Sequence, residues 1–460
     1  MKRSTVLAVC ILALTVMAAS AQTYTELLSF DGNSAAGPVT PLTQGVDGDL
    51  YGTTAYGGTG TCFDGSGIGC GVVFKITPAH RFEIIYNFQA AISNYPINDL
   101  VLGYDGNLYG TTQGGEGSIF KVASTGNFAT LHTFSGPDGA DLLGGVIQGV
   151  DGNFYGTTGY GGTPSNSCPS GCGTVFKMTP AGDITTLYSF CPQNYCPDGE
   201  IPEGVLAEGS DGYLYGTTIS GGLYKQGTIF KISRTGTFRL LYTFNGIPHG
   251  PGLILASDGN FYGRTPNGIY QLTPQGVVTV LPGSGGYYPP FMQGSDGNFY
   301  GTSVYGGNNY GYIFSTPLTG GNFSDLYTFL GYPNDGSMPA AGLAQHTNGV
   351  FYGTTFIGGN APCNYGSYPG CGSVFSLDMG LPPFVTFLRG AGGPGRRFGI
   401  LGQGFTSATS VSLNGTPVDF KVKADTFIAA TVPAGATTGY VTVTTTGGTL
   451  QSNVPFRVLK

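Results

Sequence analysis

The sequence predicts an all-β chain in which a ring of seven four-stranded sheets, a β-propeller, is followed by a small β-sandwich. Three observations carry this. The stretch Asp-Gly-Asn-Phe-Tyr-Gly-Thr-Thr at 151–158 returns with small changes at 47–54, 105–112, 211–218, 258–265, 296–303 and 348–355. Similar strand-forming runs flank every copy, at the period of about 40–50 residues expected of a propeller blade. Finally, 82 glycines accompany 40% hydrophobic and 13% aromatic residues, which suits many short strands joined by tight turns.

Taken in order, residues 1–21 read as a secretory signal. Lys2 and Arg3 precede an apolar run from Val6 to Ala19, and Ala19-Ser20-Ala21 forms a small-residue cleavage site. The run is short for a bilayer span, and Cys10 is badly placed for lipidation. The mature chain is expected to begin near Gln22 and to leave the cytoplasm, as a monomer without a transmembrane segment. Losing Lys2 and Arg3 takes the formal charge from −7 to −9 (−7 − 2). Charged residues make up only 9% of the chain, with no basic run beyond Arg396-Arg397, which excludes a nucleic-acid footprint.

The repeat at 144–190 shows the parts of one sheet. GGVIQGVDG is a short first strand ending in Asp-Gly, read as a two-residue hairpin turn. NFYGTTGY (153–160) is the second strand, GTVFKMTP (173–180) the third and AGDITTLYSF (181–190) the fourth. The seventh copy has no fourth strand after it. TYTELLSF (23–30) looks like a fourth strand with no sheet before it. A ring closed by this segment hides its sheet edges, so Thr23–Phe30 is expected to complete the sheet of Phe351–Asp378.

The mature chain holds eight cysteines in four local pairs, Cys62/Cys70, Cys168/Cys172, Cys191/Cys196 and Cys363/Cys371. In an exported chain these read as disulfides. No pair has Cys-x-x-Cys spacing and the four histidines are scattered, so neither metal nor other cofactor is expected.

From Leu381 the character changes: short alternating strands with Asn-Gly and Gly-Gly turns suit an immunoglobulin-like sandwich. GQGF (402–405), VSLNG (411–415), VPAG (432–435), TGYVTV (438–443) and FRV (456–458) resemble the IPT/TIG family. The D-G-x-L-Y-G-T-T…G-G…G-x-x-F-K repeats resemble those of choice-of-anchor tandem-repeat GloVer proteins. That resemblance implies an exported protein and supplies no catalytic residues. The division is therefore 1–21 signal, 22–380 propeller and 381–460 IPT/TIG-like domain.

Strand order sorts the loops. Turns after strands one and three share one end of the ring and are short and uniform. Loops after strands two and four share the other end, vary in length and carry every cysteine pair. Tyr95, Tyr195, Tyr287, Tyr288, Tyr332, Tyr365 and Tyr368 gather there, and flat tyrosine faces suit a sugar or an extended peptide. A second candidate is the channel, where one position of strand one holds Gln44, Gln148, Glu208, Gln293 and Gln345, with Leu102 and Leu255 in the other two copies. The motif's acids read as turn formers rather than calcium ligands; its Gly is expected to allow neighbouring sheets to approach. Lys75, Lys121, Lys177 and Lys231 share a strand-three position and read as an exposed sheet face. Among catalytic motifs, Gly390-x-Gly392-x-x-Gly395 matches a dinucleotide fingerprint in form only, having Pro394 and no following helix. The expectation is a non-catalytic binding or scaffold protein of the cell exterior, its partner a polysaccharide or surface protein. A propeller polysaccharide lyase or hydrolase and a surface-layer component are the alternatives.

Overall fold

The computed structural model describes residues 22–62, 69–89, 95–246, 250, 252–265, 268–282, 291–306, 308–321, 323–365 and 368–459, and the side chains of all of these except 364, 365 and 368. The signal segment lies outside them. The described residues are all-β apart from one 3-10 turn, Phe405–Ser407. No helix among the described residues is long and apolar enough to cross a membrane.

Seven four-stranded antiparallel sheets follow one another, numbered here in chain order. Their first strands are Thr43–Gln44, Val101–Leu102, Ile147–Gln148, Glu200–Glu208, Ile254–Leu255, Met292–Gln293 and Ala344–Gln345. In sheet 7 the fourth strand is Thr23–Ser29, which pairs with Ser373–Asp378 from Thr23↔Asp378 to Ser29↔Ser373. Its packing repeats what other sheets do. Tyr86 of sheet 1 stacks on Phe128 of sheet 2 at 3.8 Å, and Tyr188 of sheet 3 on Phe238 of sheet 4 at 4.1 Å. Tyr327 of sheet 6 stacks on Tyr24 at 3.7 Å, so the N-terminal strand fills the place of an ordinary fourth strand.

The repeated motif builds this frame in three ways. Its Asp accepts twice: in sheet 3, Asp151 Oδ1 takes the Asn153 backbone N–H at 3.1 Å and Oδ2 takes the Tyr155 hydroxyl at 2.8 Å. The same Tyr-to-Asp bond recurs at Tyr51, Tyr109, Tyr215, Tyr262 and Tyr300. Second, the motif tyrosine meets the motif's Phe in the next sheet, as in Tyr215–Phe261 at 3.9 Å and Tyr300–Phe351 at 4.3 Å. Third, its glycine makes room for an aromatic ring. A Cβ on Gly156 would lie 2.6 Å from Phe176 Cζ, and one on Gly353 2.4 Å from Phe375 Cζ. Gly156 and Phe176 are cross-strand partners, so the close approach is within one sheet and not, as expected, between sheets.

Three further expectations change. The hairpin loop has three residues, because the Gly149 N–H reaches the Asn153 carbonyl at 2.8 Å while the Gly152 N–H reaches the Gly149 carbonyl. Only Gly152 has positive φ (91°), so Asp151 needs no unusual backbone: this is a type I turn closed by a left-handed glycine. Strand two ends at Thr158, which leaves Tyr160 in the loop beyond it. Three of the four strand-three lysines are not a free face: Lys75 pairs with Asp49 at 2.8 Å, Lys121 with Asp105 at 2.7 Å and Lys231 with Asp211 at 3.0 Å.

The C-terminal residues form two more four-stranded sheets. One contains Thr386–Phe387, Arg397–Leu401, Phe427–Thr431 and Asp419–Ala424; the other contains Thr416–Pro417, Ser410–Leu413, Val441–Thr445 and Gly448–Gln451. Between them lies a core of buried residues including Phe398, Ile400, Phe405, Val411, Ile428 and Val443. This unit is seated on the uniform turns. Thr426 Oγ1 donates to the Val46 carbonyl at 2.8 Å, Gln403 Nε2 to Thr347 Oγ1 at 2.8 Å and Arg457 Nη1 to the Gly209 carbonyl at 3.0 Å. Arg389 lies over the Tyr104 ring at 4.4 Å. Val46, Tyr104 and Thr347 each immediately precede a motif Asp or Asn, and Gly209 stands two residues before Asp211.

Candidate functional site

Segments leading into the first strands from sheets 1–7 surround a cavity of about 400 Å³. These segments precede strand one, or in sheet 4 form part of the longer strand Glu200–Glu208, which places the cavity toward the variable-loop end of the ring. Its walls are set by a repeated arrangement. Each lead-in ends in a buried residue (Leu42, Leu100, Val146, Leu206, Leu253, Leu343). The residue before it faces the cavity: Pro41, Asp99, Gly145, Val205, Gly252 and Gly342. Asp99 is the one acid in that series. Asp99 is half-buried at the cavity wall, and its carboxylate has no hydrogen-bond or ionic partner among the described residues. Burial pushes its pKa up to about 6. Beside it Asn98 is fixed, donating to Thr111 Oγ1 at 2.9 Å and to the Leu142 carbonyl at 2.7 Å.

In three sheets the seventh residue of the motif anchors the lead-in of its own or the next sheet. Thr217 Oγ1 donates to the Glu203 carbonyl, Thr302 Oγ1 to that of Ala341 at 2.8 Å and Thr354 Oγ1 to that of Thr40. In sheet 5 this residue is Arg264, and it lines the cavity. Burial raises the Glu203 carboxyl above its ordinary range while the charge of Arg264 lowers it. The cavity thus combines apolar walls, a lone carboxyl and the Arg264 side chain, the usual make-up of a small-molecule site.

The strand-one glutamines tie neighbouring sheets together. Gln148 Oε1 accepts from the Tyr104 N–H, Gln293 Oε1 from Ser257 N–H and Gln345 Oε1 from Ser295 N–H, at 2.7–2.8 Å. Glu208 accepts from the Val150 N–H at 3.0 Å and also bonds Arg234. Gln44 repeats the bond across 303 residues, accepting from the Thr347 N–H at 2.9 Å and donating to Thr347 Oγ1 at 2.9 Å. Sheet 1 is therefore joined to sheet 7 as Gln345 joins sheet 7 to sheet 6. Beside this junction His346 is buried, with Nε2 on the Gly48 carbonyl at 3.1 Å and Nδ1 accepting from the Asn348 N–H; burial lowers its pKa. These side chains are committed to the frame, and none of the five lines the cavity.

On the loop end the cysteines pair as four disulfides: Cys62–Cys70, Cys168–Cys172, Cys191–Cys196 and Cys363–Cys371. The two of sheet 3 converge, the four sulfurs lying within 4.8 Å of one another. The Tyr195 N–H reaches Ser167 Oγ across them at 3.1 Å, which presents the Tyr195 ring at 81% exposure. Tyr332 is exposed, while Tyr95 is half-buried with its ring edge against Tyr56 at 5.9 Å, two residues from the cavity wall at Ile97. Tyr287 and Tyr288 lie outside the described residues. Tyr365 and Tyr368 pair across a short hairpin, their side chains outside what is described. Exposed aromatics not singled out from sequence join this end: Tyr160, Tyr224, Tyr305 and Tyr310. Two of them carried a visible signal, since Tyr160 and Tyr305 both stand two residues after the motif and before Gly-Gly. Arg264 also carried one, as the motif's only Arg-for-Thr change. Asp99 carried none.

No curated protein matches the chain. Among solved structures it is similar to streptogramin B lyase, at 15% identity and a TM-score of 0.52 over 78% of this chain and 97% of that one. It is similar also to a catalytically inactive virginiamycin B lyase from Staphylococcus aureus, at 15% identity and 0.52 over 78% and 99%. An extracellular domain of a one-component system from B. thetaiotaomicron follows at 12% and 0.51, covering 95% of this chain and 58% of that one. At such identities the likeness shows the fold alone, which is β-propeller-like. Residues 59–272 match the family described as the Gloeobacter/Verrucomicrobia repeat.

Proposed function

We propose that this is an exported binding protein: a seven-bladed propeller (22–380) closed by its N-terminal strand, backed by an IPT/TIG-like sandwich (381–460). In this reading the loop end of the ring binds a glycan or protein of the cell exterior. The observation that carries it is the division of the two ends. The sandwich occupies the uniform turns through Thr426, Gln403 and Arg457. Disulfide-fastened loops, exposed tyrosines and the Asp99 cavity all belong to the other end. Rigid loops bearing aromatics lose little entropy on binding, which favours recognition. The test is a glycan array with the full mature chain, followed by Tyr195→Ala and Asp99→Asn on any hit. Binding lost in either variant supports the reading; binding that survives both overturns the site.

One observation favours catalysis as a second reading. A carboxyl near pKa 6, unpartnered in a cavity, is poised for proton transfer at neutral pH. Incubating the array hit with the protein and looking for new reducing or unsaturated ends separates the two. Product that disappears in Asp99→Asn establishes the enzyme, and binding without product the receptor.

A further inference from the structure

The sequence shows no basic run beyond Arg396-Arg397, yet folding gathers arginines from three separate stretches. Arg234 of sheet 4 and Arg389 and Arg396 of the sandwich line a pocket of about 330 Å³ where the sandwich meets the turns of sheets 3 and 4. Arg457 is close by: burial, with Arg234 adjacent, pulls its pKa below the ordinary value. Only part of this charge is balanced. Glu208 pairs with Arg234. Asp151 also lines the pocket; its carboxylate accepts from Asn153 and Tyr155 in their own turn and offsets part of the Arg234 charge. Asp211 is held by Lys231 and Tyr215. Arg389 has no acidic partner among the described residues; it lies over the Tyr104 ring with its Nη2 3.7 Å from the Cβ position of Gly152. The Nε–H groups of Arg234 and Arg389 are buried with no acceptor among the described residues.

Like charges gathered at one junction repel, and an anion between them relieves that cost. We propose that this junction is a binding site for a sulfate or phosphate group, held by Arg389 and Arg396 with Arg234 at the rear. Guanidinium groups arriving from different directions suit a tetrahedral oxyanion, which offers an acceptor edge to each, better than a flat carboxylate with one. The pocket volume lies at the low end of the roughly 300–1,000 Å³ that holds organic ligands, so the oxyanion is carried on a sugar-sized body. The site spans both units, and its ligand clamps the sandwich to the ring.

Calorimetry and thermal unfolding of the full mature chain test this, at fixed ionic strength in chloride, with inorganic sulfate, inorganic phosphate and a sulfated disaccharide. The disaccharide should bind most tightly and raise the melting temperature. Arg396→Gln, at an exposed position, should weaken it about tenfold and Arg389→Gln about ten- to hundredfold, as loss of charge-assisted hydrogen bonds implies. Equal affinity for inorganic sulfate and the disaccharide keeps the oxyanion site and overturns the sugar-borne ligand. Absence of any heat or thermal shift at millimolar anion, or binding indifferent to both substitutions, overturns the site.

Discussion

Replacing Asp99 by Asn tests the cavity directly, because the two side chains have nearly the same shape and differ in charge. Burial lifts the Asp99 carboxyl from 3.8 to about 6. That rise, at ~1.4 kcal/mol per tenfold change in proton affinity, corresponds to ~3 kcal/mol, and water inside the cavity reduces this to ~1–3 kcal/mol. The sign follows from linkage: a carboxyl whose pKa is raised on folding favours the native state only while it is protonated. Stability relative to the variant therefore falls as pH rises from about 3.8 to about 6 and is level above that. Urea unfolding of both proteins across pH 3.5–7.5 should give coincident midpoints at the acid end. At pH 7 the variant should be more stable by ~1–3 kcal/mol. A difference that does not change with pH, or a variant less stable at pH 7, refutes the account of Asp99 as an unpartnered cavity acid. A residue retained at such a cost is what a ligand site in a stable frame looks like, so Asn should stabilise the fold and abolish binding together.

Gly156→Ala places a methyl 2.6 Å from Phe176 Cζ. It should destabilise by ~1–3 kcal/mol in the same unfolding assay, the usual cost of overpacking, and a shift under ~0.5 kcal/mol contradicts the within-sheet role of that glycine. Gln44→Leu removes both bonds between sheets 1 and 7 and leaves the Thr347 N–H unpaired, at a cost of ~1–3 kcal/mol. Leu102 and Leu255 occupy the same position in sheets 2 and 5. The shape is therefore tolerated and the loss measures the bonds; unchanged stability shows that this junction does not hold the ring.

What was legible in the sequence was whatever repeats. Seven copies of one motif set the strands and their order, and the orphan TYTELLSF implied the pairing with Ser373–Asp378. The cysteine pairs followed from local spacing. The errors come from geometry that spacing does not encode. A two-residue and a three-residue hairpin both accept Asp-Gly, and only the Gly149–Asn153 bond separates them. The innermost place of strand one points the glutamines to the channel, and spacing does not show that their amides reach sideways to the preceding sheet. Asp99 was invisible because an acid in a short polar lead-in resembles any loop residue. Its meaning depends on Pro41, Gly145, Val205, Gly252 and Gly342 standing at the same level, and those residues share no sequence signal.

The arrangement of the two ends explains why the repeats diverge where they do. A turn that must meet the sandwich cannot vary freely. Val46, Tyr104, Gly209 and Thr347 each contact it through backbone carbonyls, a hydroxyl or a ring face held at a set height by the Asp-Gly turn. A longer turn in any of these sheets would lift the sandwich off the others. The loops at the far end carry no such constraint, since their sheets are already fixed by the glutamine bonds and the stacked tyrosines. They can lengthen and accept a disulfide or an exposed ring without disturbing the frame. The uniform end is thus uniform because it forms an internal interface, which leaves the far loops, the cavity behind them and the arginine pocket at the edge of that interface as the places for the proposed ligands.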